Sequence, residues 1–322
     1  MKRLFKPLLG VLLLIALFHS VGWSDVAASL LQTQVGWLVA ALFLAVLANL
    51  VCVLRWRAIA GRMGLDAPYL KMASLYFQGI FANSILPGGI VGGDVWRSMG
   101  LAQTACRTAT PERQSLAAAT VFLDRAAGFW GLAVLSLLAL GALAVHWQSG
   151  RSPADTNMLS NATLFGAMGY AQTLAALLVL PWLAAGVGAP LISKFAAQTG
   201  RWQAKVEVML QLARSTPLLL RTLPQTAVSQ LLGIAALACS FQAVGLDVPP
   251  LVVSAVSCGI FLFGALPAAI GGFGARELGA VAFLAPLGFD EAAVIAGSIL
   301  FGLTATLQGL GGLAAWLQSR KT

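Results

Sequence analysis

Asp124 and Arg125 stand side by side inside an apolar run, VFLDRAAGFW. Two other segments carry the same mixture: GGDVWR, with Asp94 and Arg97, and GGFGARE, with Arg276 and Glu277. Three acids and three arginines in apolar surroundings can neutralise one another, and they can also hold an anion. The guanidinium is a planar fork of N–H donors matched to phosphate. Glycine-rich backbone beside it offers main-chain N–H groups, and a helix starting there offers the positive end of its dipole. Intramembrane acids balance charge or carry protons. The candidate binding set is therefore Arg97, Arg125 and Arg276 with Asn83, Gly88, Gly92, Gly93 and Gly272. Asp94, Asp124 and Glu277 are the candidates for charge balance or proton coupling. The expected pairs are Asp124 with Arg97 or Arg276, and Arg125 with Glu277 or Asp94. Asp94, following a glycine turn, also suits a helix N-cap, and ion pairs alone could serve to pin these segments together.

The elements that hold these charges must be membrane helices. The 322 residues are 59% hydrophobic and 10% charged, against about 45–50% and about 25% in soluble globular chains. Mean hydropathy is +0.85. This excludes a soluble enzyme, and the lack of long charged stretches leaves no room for a sizeable soluble domain. The net charge of +9 belongs to cytoplasmic loops rather than to a nucleic-acid surface. Cys52, Cys106, Cys239 and Cys258 show no CxxC spacing, and His19 and His146 lie far apart. No metal, cofactor or disulfide framework is expected. No nucleophile–base pair stands out, so the chain is not expected to be an enzyme.

A bilayer span needs about 20 mostly apolar residues. Six stretches qualify, 4–22, 36–56, 115–145, 162–183, 225–245 and 291–317, while 70–93 and 249–286 are apolar but broken by Pro and Gly. The N-terminal stretch starts like a signal peptide, lacks a convincing cleavage site, and reads as an uncleaved first helix. Basic residues gather before the first span, between spans two and three (Arg55 to Arg113), between spans four and five (Lys194 to Arg221), and at the C-terminus. The opposite loops, 23–35, 146–161 and 246–248, carry only Arg151. Both termini are then cytoplasmic. This holds only if 70–93 and 249–286 return to the side they entered, as re-entrant hairpins whose irregular backbone is shielded by protein or a wet cavity. Trp23, Trp37, Trp56, Trp147, Trp182, Trp202 and Trp316 lie near span ends, as in an aromatic belt.

Shifted by 180 residues, Gly79-Ile80-Phe81, Leu86-Pro87, Ile90 and Gly92 fall on Gly259-Ile260-Phe261, Leu266-Pro267, Ile270 and Gly272. Each copy follows two spans and precedes a third, entering from opposite sides. The expected fold is an all-α polytopic membrane protein, a single transmembrane domain over 1–322. It has six spans and two re-entrant hairpins in an inverted 3+3 repeat: 4–145, 162–318, and a basic cytoplasmic linker 190–224. Broken helices at matching positions of inverted repeats point to a transporter's midplane site.

Asn83-x-x-Leu86-Pro87-Gly88 with Gly92-Gly93-Asp94-x-x-Arg97, Asp124-Arg125-x-x-Gly128, and Pro267 with Gly271-Gly272-x-Gly274-x-Arg276-Glu277 resemble one family. It is the flippase-like domain, also called the lysylphosphatidylglycerol synthase transmembrane region. The resemblance covers nearly the whole chain, and these 322 residues leave no room for the soluble synthase domain of some members. It implies translocation of a phosphate-bearing, anionic or zwitterionic lipid between leaflets of a bacterial inner membrane. Expected partners are a membrane lipid and, in an accessory role, a lipid-biosynthesis enzyme, with no nucleic acid; the oligomeric state is open. A small-anion secondary transporter and a non-transporting, lipid-presenting subunit are the alternatives.

Overall fold

The computed structural model describes residues 21–85, 91–105, 110–148, 168–176, 220–266 and 272–319, together with Ile15, His19 and Gly166. Among the described residues all regular structure is helical. In chain order the helices are α1 (Trp23–Leu31), α2 (Val35–Arg62), α3 (Tyr69–Ile85), α4 (Val91–Ala105) and α5 (Pro111–Gln148). After them come α6 (Leu223–Ala243), α7 (Pro250–Gly264), α8 (Ala275–Leu284) and α9 (Glu291–Ser319). Four stretches are long and apolar enough to cross a membrane: Val35–Arg62, Arg113–His146, Leu223–Ala243 and Glu291–Leu317. They fall on four of the six expected spans. The span expected at 4–22 and the basic linker lie mostly outside the described residues; of the span expected at 162–183 only Gly166 and residues 168–176 are described, and they are helical. The expected loop 23–35 instead contains α1, whose Val26 is buried against Ala243 of α6 and Ile295 of α9.

Packing inside a bilayer cannot rely on the hydrophobic effect, because lipid tails are as apolar as leucine. Close approach of small side chains takes its place. On α2, Ala41, Ala45, Ala48 and Cys52 recur at steps of four and three, so they share one face, and all are buried. α2 makes its most extensive contact with α6, which presents Ser229, Ala236 and Ser240 as buried small residues. Around this central pair most helix contacts among the described residues have a counterpart, that of α1 with α9 being an exception. α3 packs on α9 as α7 packs on α5; α4 meets α5 as α8 meets α9; α2 meets α9 as α6 meets α5. Each hairpin thus leans on the last long helix of the other half, and the two halves interlock.

The two interrupted segments both fold as helix–break–helix. In the first, Gly79 lies against Arg97 and Gly93, Asn83 against Gly93, and Leu75 against Gly100. As one residue number rises the other falls, so α3 and α4 run antiparallel. In the second, Gly264 lies against Arg276, Phe263 against Gly279, and Phe283 against Gly259, again antiparallel. The first segment extends further than the expected 70–93, because α4 continues to Ala105. The second closes through Gly272 (φ +84°) and Gly274 (φ +88°), a backbone region that side chains with a Cβ avoid.

The α3–α4 crossing is tight enough that a Cβ on Gly93 would collide with the Gly79 carbonyl oxygen and the Asn83 side chain. Gly93→Val is expected to cost about 1–3 kcal/mol through overpacking, seen as a lower melting temperature of the detergent-solubilised protein. Val95→Ala, on the exposed side of the same helix, is the matched control and should leave it unchanged.

Candidate functional site

Asp124 lies eleven residues into the membrane-length stretch that starts at Arg113, about 17 Å along the helix at 1.5 Å per residue. A lone acid there would be costly, and it is not alone. Its Oδ1 accepts from Arg55 Nε at 2.9 Å and its Oδ2 from Arg97 Nη2 at 3.0 Å. All three side chains are essentially sealed, at 1–3% exposed. One carboxylate therefore ties together α2, α4 and α5. The Arg97 guanidinium is also sandwiched between the Trp56 ring (4.3 Å) and the Tyr76 ring (4.1 Å), a favourable cation–π arrangement when desolvated. Trp56 is held in turn by its Nε1–H donating to Thr120 Oγ1 at 3.1 Å. Arg55 reaches across to α6, donating from Nη1 to Ser229 Oγ at 3.3 Å and Thr226 Oγ1 at 3.5 Å.

A second pair stands at the rim. Arg125 donates to Asp94 from Nε at 3.1 and 3.3 Å and from Nη2 at 2.9 Å. This pair is about a quarter to a third exposed. Asp94 does not cap α4. The helix begins at Val91, within the glycine run, so Asp94 sits in its first turn. There its charge still suits the positive helix end.

The other hairpin carries its own cluster. Arg276 Nη2 donates to Glu277 Oε1 at 2.7 Å, and Arg276 Nε to Ser298 Oγ at 3.2 Å. Ser298 donates to the same Oε1 at 3.1 Å, while Glu277 Oε2 accepts from the Gly274 backbone N–H at 2.5 Å. Glu277 thus closes the turn and starts α8 as well as balancing Arg276. Neither of the cross-hairpin pairings anticipated for Arg276 and Glu277 forms. Each has its partner one residue away, and Arg97 and Asp94 take the places next to Asp124 and Arg125.

Arg55, Arg97, Asp124, Arg125 and Arg276 all line one cavity of about 340 Å³, with Asn83, Gly272, Asn49, Gln230 and Gln308 on its wall. Four arginines are balanced by three carboxylates, one positive charge in excess. Asn83 is partly committed, since its Oδ1 accepts the Gly93 N–H at 2.7 Å. Gly92 is half-buried in α4, and Gly88 lies outside the described residues.

Arg55 is the member that sequence reading missed, because it sits in the basic cluster assigned to a cytoplasmic loop. A signal was present: residue 55 continues the face of Ala41, Ala45, Ala48 and Cys52 by one more step of three. Trp56 is likewise no belt residue; it is fully buried as one wall of the Arg97 slot.

Membrane-length helices wrapped around a buried charge network define a polytopic helical membrane protein. The chain belongs to the lysylphosphatidylglycerol synthase transmembrane region family, whose model matches residues 3–312. No match is found among curated proteins. The family places the chain among membrane proteins related to lipid handling.

Removing one partner from a sealed ion network leaves charges stranded, typically at about 3–5 kcal/mol, whereas a partly exposed pair contributes about 1 kcal/mol or less. Asp124→Ala is therefore expected to destabilise far more than Asp94→Ala. Thermal unfolding in detergent micelles checks the ranking, and equal losses would contradict the sealed geometry.

Proposed function

We propose that this protein moves a phosphate-bearing or other anionic or zwitterionic lipid between the leaflets of a bacterial inner membrane. The observation that carries the reading is the positive excess of the cavity where both hairpins and α2, α5 and α6 converge. A binding pocket for drug-sized ligands is about 300–1,000 Å³, so the cavity suits a headgroup while acyl chains stay in lipid. Each hairpin supplies one arginine, Arg97 or Arg276, and Arg125 stands at the rim, so a headgroup can be passed between cationic positions. The three acids keep those cations from binding it too tightly to leave.

The paired helix contacts and the 180-residue echo support an inverted repeat of two three-span units with re-entrant hairpins. The distribution of basic residues supports cytoplasmic termini. The broken helices at corresponding places are the arrangement expected around a transporter's site. A lateral opening beside the hairpins completes the proposed path. A lipid-biosynthesis enzyme supplying the substrate on the cytoplasmic side is the expected partner.

The test is leaflet exchange of fluorescently labelled phospholipids in proteoliposomes. Wild type should accelerate exchange over empty liposomes. Arg125→Ala, which loses charge-assisted donors but sits at the rim, should reduce the rate about tenfold or more, since such hydrogen bonds contribute about 1.5–3 kcal/mol. Equal rates in wild type, variant and empty liposomes would sink the reading.

A further inference from the structure

The two hairpins are tied to the long helices by different chemistry. Among the described residues, two ion pairs leave the first hairpin, Arg97–Asp124 and Asp94–Arg125, and both end on α5. Moving α4 away from α5 would strand those charges in an apolar interior. The second hairpin carries its neutralisation with it, since Arg276 pairs with Glu277 one residue away. Hydroxyl groups tie it to its neighbours. Ser298 on α9 bridges Arg276 and Glu277, and Ser136 and Tyr170 reach α7.

Ser136, fully buried on α5, donates from Oγ to the Ser254 carbonyl at 2.9 Å and accepts the Cys258 N–H at 3.3 Å. Those two backbone groups form an i, i+4 rung of α7. The next N–H, that of Gly259, donates to Tyr170 Oη at 2.8 Å, on the helical residues 168–176. Side chains from two other elements thus engage consecutive rungs in the middle of α7. A side chain inserted into this ladder is a recognised cause of helix bending. α3, the matching arm of the first hairpin, shows no such rung among the described residues. Gly264, on the cavity wall, lies five residues beyond Gly259, about 8 Å along the helix.

Resting on the translocation reading, we infer that Ser136 and Tyr170 are positioning residues that make residues 254–259 a hinge. The second hairpin swings on it as a neutral unit, taking Arg276 with it, while the first hairpin stays fixed to α5. Hydroxyl bonds break at lower cost than a sealed ion pair, so the hairpin without an outside ion pair is the one that moves.

Amide hydrogen exchange read by mass spectrometry, on the full chain in lipid nanodiscs, tests this without a substrate. The amides of 259–265 are expected to exchange about tenfold or more faster than those of 79–85, their matches across the 180-residue echo, because local opening sets the rate. Equal or slower exchange at 259–265 overturns the inference. Tyr170→Phe keeps the ring against Phe283, and Ser136→Ala removes only a hydroxyl. Each leaves the freed α7 N–H no partner but its own ladder. Either variant is expected to slow exchange at 259–265 several-fold while 79–85 keeps its rate. Simple destabilisation would speed both segments, and that result, or no change, overturns the hinge. Leaflet exchange in proteoliposomes separates the two readings. Where wild type moves lipid, Tyr170→Phe should slow it about tenfold, as expected when a conformational step sets the rate, and an unchanged rate overturns the hinge. A wild type that moves no lipid sinks translocation alone, and the amide contrast still decides the hinge.

Discussion

A charge buried in a membrane protein must have a partner, and Asp124 answers to that constraint twice over. It neutralises Arg55 on α2 and Arg97 on α4 at once. The hydrocarbon around the protein offers no water to replace either bond. The position of α4, and with it the first hairpin, is therefore set by a carboxylate on α5. The aromatic slot of Trp56 and Tyr76 follows from the same constraint. A flat cation with its edge on Asp124 needs its faces covered, and two rings cover them.

The halves of the chain solve the same problem with different chemistry. In the first, the acid lies on the long helix and the arginine on the hairpin. In the second, Arg276 and Glu277 both lie on the hairpin, and the long helix contributes the hydroxyl of Ser298. Most of the helix contacts match in pairs while the side chains do not. The contacts are largely paired and the charged cluster is not.

Close packing and charge pairing depend on one another here. Gly79 and Gly93 let the hairpin arms approach until the Arg97 stem lies on the glycine surface, and only then does its guanidinium reach Asp124. The small face of α2 lets α6 approach until Ser229 and Thr226 receive Arg55. A bulkier residue at these glycines would move a charge away from its partner, so packing here carries an electrostatic penalty as well as a steric one.

The sequence alone determined the membrane class, four spans that lie within the described residues, and the two broken segments. Length, apolarity and Pro–Gly breaks are local properties, readable without knowing what packs where. It also singled out Asp94, Arg97, Asp124, Arg125, Arg276 and Glu277, because charge in an apolar run is conspicuous. Only the tertiary structure decided which charge meets which. It placed Arg55 inside, although a basic residue at a span end reads as a loop residue until its face is matched to a neighbour. It turned Trp56 from an expected belt residue into the wall of a cation slot, and of the two partners expected for Arg125 it took Asp94, which does not cap its helix, over Glu277. Pairing depends on distances between helices far apart in the chain, and on which donors remain once the nearest acceptors are taken. Composition and spacing along a single chain do not encode those quantities one residue at a time.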